Sequence, residues 1–422
     1  MIEVPAHWYN VLADRRIELS KERSAGMTGT RPPQVPKSLV RQSMPLRTWD
    51  PIPEPVLAAY REWRPTPLRR AHNLERAIGA KTPIYYKYEA GNVAGSHKYL
   101  TALAQAYYYS RAGVETLVTS TAAGQWGTAV AAAAQRFGLR CRIYMVPRSY
   151  DRKPGRRTVM ELLGAEVIRA NASQGRRTSL VDAMTEAVST TASIPGSRWI
   201  LGGSEPFAIL HCTVIGLETK QQLAEQGETA APVLVGYLGG AKNIGGLGLP
   251  FLQNGGEPRI VLVESSSYPV LTRGMFAFDS TDETGASPQA GMFTLGSRFR
   301  GAPIQAEGIR YHAAPKLASE LYRRGLLAAV AHDERPVFDS ARKLLTTEGI
   351  LVSAEAAYAV HEACRQACDS VNAGRPVVFC LTDHGSYDTD AWRAYLDDEL
   401  HTDAAPTDEE ITAMTAGLTP VH

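Results

Sequence analysis

The stretch I84-Y-Y-K-Y-E-A-G-N-V-A-G-S-H-K-Y-L-T-A-L-A-Q-A-Y-Y-Y109 changes character at its middle. Its first six residues, Ile84 to Glu89, make a short apolar segment of strand length. A Gly-Ser-His turn follows, and from Lys98 onward Leu100, Leu103, Ala104 and Tyr107 recur at helical spacing. A helix N-terminus carries partial positive charge and favours anions, so a buried ammonium is poorly placed there. Lys98 therefore needs a reason.

The same alternation continues outward from this stretch. L117-V-T-S-T121 precedes the Ala-rich run Ala129 to Ala134, and Cys141 to Val146 precedes R156-R-T-V-M-E-L-L-G164 and A165-E-V-I-R169. V233-L-V-G-Y-L238, I260-V-L-V-E264 and V377-V-F-C-L381 repeat the theme. Strand and helix patterns in alternation predict an α/β fold with mostly parallel sheets flanked by helices. Ligands in such folds sit beyond the carboxyl ends of strands, so the loops after these segments are the informative ones.

The chain has 422 residues, 44% hydrophobic and 21% charged, an ordinary globular composition large enough for two lobes. With 45 basic and 43 acidic residues interspersed, net charge is +2, which argues against a nucleic-acid partner. No apolar run reaches bilayer length, and the start M1-I-E-V-P lacks a signal-peptide pattern. Five scattered cysteines, Cys141, Cys212, Cys364, Cys368 and Cys380, fit a reducing compartment, so a cytoplasmic protein without membrane association is expected. The first sixty residues are rich in Pro and Arg, and Gly29 to Pro36 reads as extended connection. Near the end, Thr407 and Glu410 form a capping box for a helix over Ile411 to Gly417.

Four loops carry candidate chemistry. Y237-L-G-G-A-K-N-I-G-G-L-G248 ends a strand in glycines, with a helix expected near Ile244. Its amides suit a phosphate, although neither the dinucleotide fingerprint nor a P-loop is present, and a merely tight strand–helix turn is the alternative. Lys98 is a candidate for an imine to pyridoxal phosphate, which would remove the bare ammonium from the helix start; a solvent-facing lysine is the plainer alternative. T119-S-T-A-A-G-Q-W-G127 offers amides to a small carboxylate, or is a packing turn. Thr382, Asp383 and His384 follow the last strong strand, where polar residues line a pocket or a solvated turn. His361, Cys364 and Cys368 share a helical face, but a closed zinc site needs a fourth ligand, so no metal is expected. Cys380 lies in a buried-strand pattern, which makes a thiol inert.

Taken together, the chain resembles the tryptophan synthase β-chain family, in its second, longer subfamily. The resemblance runs from H7-W-Y-N-V11 through Y60-R-E-W-R-P-T-P-L68, A94-G-S-H-K98, A123-G-Q-W-G127, Tyr144 to Pro154, H211-C-T-V-I-G-L-E218, G308-I-R-Y-H312, T347-E-G-I350 and H384-G-S-Y-D388. It implies a fold type II pyridoxal-phosphate enzyme, usually a homodimer and often without an α-like subunit. The implied organisation is an N-terminal arm (1–60), a large cofactor-binding lobe (61–99 and 206–400), a small lobe (100–205) and a C-terminal tail helix (401–422). Lys98 would hold the cofactor, with His97 at its phosphate beside Gly239, Gly240, Ala241, Lys242 and Asn243. Thr382 would face the pyridine nitrogen and Glu348 would stand near the ring. The amides of Thr121, Ala122, Ala123, Gly124 and Gln125 would hold the carboxylate of an amino-acid substrate.

Departures from the family pattern cluster in that pocket. Where the family resembles T-E-T-G-A-G-Q, this chain has T119-S-T-A-A-G-Q125, so Ser120 replaces the general acid–base glutamate. Losing such a group typically costs roughly 10²–10⁴-fold in rate. Lys242 replaces the serine of G-G-G-S-N, and Asp383 stands where the subfamily has glycine. The lysine is kept while the acid–base group is gone, which implies a working cofactor with changed chemistry. The expected reaction is β-elimination and β-replacement through an α-aminoacrylate, with a donor that leaves more readily than serine hydroxide. The alternative is a lyase, deaminase or cyclase without a second substrate, with Asp383 or His384 as proton shuttle.

Overall fold

The computed structural model describes residues 2–23, 35–171, 180–202, 204–281, 288–400 and 405–421, and two parallel sheets organise them. Most of the Gly29 to Pro36 run lies outside the described residues. The larger sheet has six strands in the spatial order Ala328–His332, Arg259–Ser265, Val233–Tyr237, Val377–Leu381, Ile84–Tyr88 and Leu68–Arg70. Neighbours run parallel except Leu68–Arg70, which is antiparallel at the edge. Val233, Leu234, Val235, Val377, Val378 and Phe379 are all fully buried. Strands covered on both faces need such unbroken apolar runs. One cover is the helix Ala354–Cys368, whose buried Ala356, Ala357, Ala359 and Ala363 let it lie close to the two central strands.

The smaller sheet is wholly parallel, in the order Ala165–Arg169, Arg140–Met145, Thr116–Thr121 and Ser197–Trp199. The helix Gln125–Arg136 packs its buried alanines between this sheet and the helix Lys98–Arg111. In the larger sheet Val377 is level with both Ile84 and Val233, and Leu381 with Tyr88. Three adjacent strands therefore end together, and the loops that follow them emerge side by side.

The N-terminal segment is anchored in the body. Trp8 and Leu39 are fully buried, and Tyr9 N donates to Thr213 Oγ1 at 2.9 Å. The Trp8 ring lies 4.5 Å from that of His211, whose Nδ1 is 3.0 Å from Thr101 Oγ1 and whose Nε2 is 2.9 Å from Gln42 Oε1. Burial pushes the His211 pKa down to about 3. At the other end, Thr407 Oγ1 accepts from Glu410 N while Glu410 Oε2 accepts from Thr407 N, the reciprocal cap the spacing predicts. That cap starts the helix at Asp408, so it spans Asp408–Thr415 and not Ile411 to Gly417.

A buried ionic cluster joins the stretch around Arg64 to the larger sheet. Arg64 donates to Glu89 at 2.7 and 3.1 Å and to Glu218 at 2.8 and 2.9 Å. Lys87 Nζ donates to Glu218 Oε2, Thr66 O and Gln222 Oε1 at 2.7, 2.7 and 2.8 Å. Elsewhere, His361 Nδ1 is 2.8 Å from Ser340 Oγ, and Cys368 Sγ donates to Ile78 O. Cys380 is fully buried in its strand, and burial pushes its thiol well above the ordinary range.

Candidate active site

The turn before Lys98 is stitched to the loop after Val377–Leu381. Ser96 bridges Asp383, His97 N donates to Thr382 O at 3.0 Å, and His384 N donates to Gly95 O at 3.3 Å. Lys98 opens the helix Lys98–Arg111, and its Nζ lies 3.7 Å from Asp383 Oδ1. Asp383 is fully buried, and its Oδ2 accepts from Tyr237 OH at 3.2 Å. Burial alone would raise this carboxyl; the charge of Lys98 beside it outweighs burial and holds the pKa down at about 2. Burial, then Lys98, pushes His97 well below the usual imidazole range, so its ring is neutral.

Among the described residues, three buried polar atoms around Lys98 have no hydrogen-bond partner: His97 Nδ1, Thr382 Oγ1 and Asp383 Oδ1. Each such atom costs about 1–3 kcal/mol if left unpaired in a closed interior. Their concentration at one lysine marks a ligand site.

The loop after Val233–Tyr237 forms another wall. Asn243 Oδ1 accepts from Tyr237 N and its Nδ2 donates to Tyr237 O, folding the loop back on its strand. Gly236 permits this approach, because a Cβ there would meet Asn243 Oδ1 at 2.3 Å. The helix begins at Lys242, two residues before the expected Ile244, directly after Ala241 with φ +52°. Lys242 Nζ donates to Gly202 O at 2.7 Å and lies 5.7 Å from the Trp126 ring centre. Burial and the Lys98 charge push its pKa down to about 7.

The loop from Thr121 to Gln125 leaves the smaller sheet. Ser120 is 6% exposed, and Thr121 Oγ1 accepts from Gly127 N at 3.2 Å. Gln125 Nε2 donates to Glu355 Oε2 at 3.0 Å, and Gly308 N donates to Glu355 Oε1 at 2.8 Å. Burial, then the Asp388 charge, raises the Glu355 pKa. Gly124 has φ +99°, and a Cβ on it would meet Arg156 Cβ at 3.0 Å. Arg156 is 1% exposed, stands over the Tyr387 ring at 4.5 Å, and has no hydrogen-bond partner among the described residues at any guanidinium nitrogen.

A lysine amine, a neutral imidazole and a hydroxyl, brought together by the turn before Lys98 and the loop after Val377–Leu381, suit a phosphorylated aldehyde. Comparison with known proteins decides the matter: the family model described as pyridoxal-phosphate dependent enzyme matches residues 60–383. The chain belongs to this family. It is 38% identical to the tryptophan synthase beta chain 2 of Methanosarcina acetivorans, covering 94% of this chain and 95% of the relative. The corresponding protein of Aquifex aeolicus is 39% identical, covering 94% and 98%, and that of Aeropyrum pernix 40%, covering 97% and 96%. The chain is a pyridoxal-phosphate enzyme of the tryptophan synthase β-like type, with the fold type II architecture.

Within this pyridoxal-phosphate enzyme the expected residues do not all converge. His97, Lys98, Lys242, Thr382 and Asp383 lie together. Glu348 does not: its Oε1 accepts from Leu74 N at 2.8 Å, at the far end of the helix Glu334–Glu348. The carboxylate that reaches the site is Glu355, seven residues on, in the first turn of the next helix. Gly349, with φ +72°, ends the first helix and turns the chain between them. His384 turns its Nδ1 to Ser386 N at 3.1 Å, capping its own turn. Arg156, Tyr237 and Glu355 were missed from sequence. An arginine among the first residues after Lys153-Pro154, and an acid inside the alanine-rich helix start, were the available signals.

Proposed function

We propose that this pyridoxal-phosphate enzyme eliminates an anionic leaving group, such as phosphate, from Cβ of an amino acid and adds a carbon nucleophile there. Lys98 carries the cofactor, His97 and the Gly239–Asn243 loop take its phosphate, and Thr382 meets the pyridine nitrogen. The bound cofactor supplies the electron sink for charge developing at Cα. The amides of residues 121–125 orient the substrate carboxylate, and Lys98 Nζ exchanges the Cα proton. Ser120 offers no acidic proton to a departing hydroxide, so an oxygen already carrying phosphate or acyl suits this pocket better than serine.

The observation that carries this reading is Arg156. A buried guanidinium without an acceptor among the described residues calls for an anion from outside, and Gly124 brings it against the carboxylate loop. Purified enzyme would be given indole with serine, O-acetylserine or O-phosphoserine. The expected order places O-phosphoserine at least about 10²-fold above serine in kcat/KM. Equal rates with serine and O-phosphoserine would sink the proposal. Product analysis separates it from a lyase or deaminase, which incorporates no second substrate.

A further inference from the structure

We propose that Lys153 is a positioning residue for anion recognition: by occupying Asp388 it keeps that carboxylate from Arg156, so that the guanidinium stays open to an anionic substrate. The inference rests on Arg156 being the anion-binding residue of the proposed function.

Lys153 and Arg156 lie one turn apart at the start of the helix Pro154–Leu162, and Arg156 N donates to Lys153 O at 3.1 Å. Tyr387 and Asp388 are neighbours in the loop after Val377–Leu381. The two pairs meet. Lys153 Nζ donates to Asp388 Oδ1 at 2.7 Å and to Asp390 Oδ1 at 3.0 Å, while the Arg156 guanidinium stands over the Tyr387 ring. The side chains of Lys153 and Asp388 are 4% and 2% exposed.

Charge in this contact is only partly matched. Among the described residues, Asp388 Oδ2 has no hydrogen-bond partner, and neither has any guanidinium nitrogen of Arg156. A buried guanidinium beside the residue next to a buried carboxylate would form a forked pair with it if nothing competed for the carboxylate. Lys153 competes. Burial alone would lower the Lys153 pKa, but the charges of Asp388 and Asp390 outweigh it and raise it, so Lys153 stays a cation. With its charge offset by Lys153, Asp388 has little left to hold Arg156.

Other ionisable groups around the contact have partners of their own. Asp390 is shared between Lys153 and Arg152, the latter at 3.9 Å. Glu307 is taken by Ser149 Oγ and lies 3.8 Å from Arg148. Glu355, within electrostatic reach of Asp388 and Lys153, has its oxygens taken by Gly308 N and Gln125 Nε2. An effect of Lys153 that passes through Glu355 falls on every donor alike and cancels when two donors are compared.

The test uses the full chain loaded with pyridoxal phosphate, given indole with O-phosphoserine or O-acetylserine, and reads the ratio of the two kcat/KM values. Lys153→Met frees Asp388 for Arg156 and is expected to lower that ratio at least about tenfold, through KM for O-phosphoserine. Adding Asp388→Asn removes the competing carboxylate and is expected to restore the ratio to within about threefold of wild type. Lys153→Arg, which keeps the cation, is expected to stay within about the same threefold range. Calorimetric binding of inorganic phosphate to the loaded protein should weaken about tenfold in Lys153→Met and recover in the double variant. If Lys153→Met does not fold, Lys153→Gln carries the same expectation. An unchanged ratio in Arg156→Gln overturns the reading of Arg156 itself. A ratio lowered by Arg156→Gln but not by Lys153→Met, or a loss that Asp388→Asn fails to reverse, overturns the role of Lys153.

Discussion

Two of the buried charged clusters among the described residues treat their polar atoms in opposite ways. Around Arg64, Glu89, Glu218 and Lys87, charges meet opposite charges at 2.7–3.1 Å, and Lys87 divides its donors among a carboxylate, a carbonyl and an amide. Around Lys98, Asp383, His97, Thr382 and Arg156, hydrogen-bonding atoms are left open. Both regions are largely buried, so burial and charge alone do not tell a strut from a binding site. Satisfaction does: a closed network fixes the structure, and an open one awaits a ligand.

That contrast breaks if substitutions in the two clusters have similar effects. The largest change is expected from Lys98→Ala, which should abolish the visible cofactor band and lower turnover by more than about 10³-fold. Absorbance after gel filtration and steady-state rates check it. Next, Glu218→Ala should destabilise the chain by about 3–5 kcal/mol in denaturant unfolding, because it leaves two buried cations, Arg64 and Lys87, with the one carboxylate of Glu89. Thr382→Val should instead leave the stability of cofactor-free protein within about 1 kcal/mol, since it removes an atom that the protein itself does not satisfy. If Thr382→Val unfolds the chain as Glu218→Ala does, the distinction fails.

Smaller effects sharpen the comparison. Glu355→Gln is expected to lower activity by roughly 10²-fold, while Glu348→Gln, outside the pocket, should change it by less than about twofold. Arg156→Gln should reduce kcat/KM for O-phosphoserine by about tenfold more than for O-acetylserine, if its guanidinium meets the leaving group. His211 is a third buried group, satisfied in its neutral form. Its folded-state pKa of about 3 lies below the ordinary 6.5, so the unfolded chain binds the extra proton between those values. Stability should be full above pH 6.5 and fall by up to about 1.4 kcal/mol per unit from 6.5 toward 3. Unfolding of His211→Gln across that range should lack this slope.

The alternation of apolar segments and helical spacing was enough to expect two parallel sheets, because strands covered on both faces must be apolar throughout. Lys98 stood out because a cation at a helix start needs an explanation. Glu348 and Glu355 show where sequence reading stopped. Both acids flank one break, and which of them turns inward depends on Gly349 ending one helix and Ser353 capping the next. Arg156 was unreadable for a similar reason. Its isolation comes from what the described residues around it do not offer, and a missing acceptor among them has no local pattern. Tyr237 was hidden inside a buried strand, where its hydroxyl reaches a residue 146 positions away.

The alignment of three neighbouring strand ends has a further consequence for how this pocket changes over generations. Val233–Tyr237, Val377–Leu381 and Ile84–Tyr88 each deliver one loop, and the sheet beneath them is held by its own packed side chains. A lineage can therefore rewrite one wall of the site while inheriting the others intact. Lys242 in one loop and Asp383 in the next sit above strands that keep their apolar runs. Swapping single loops between such relatives is a route to new substrates that leaves the foundation undisturbed.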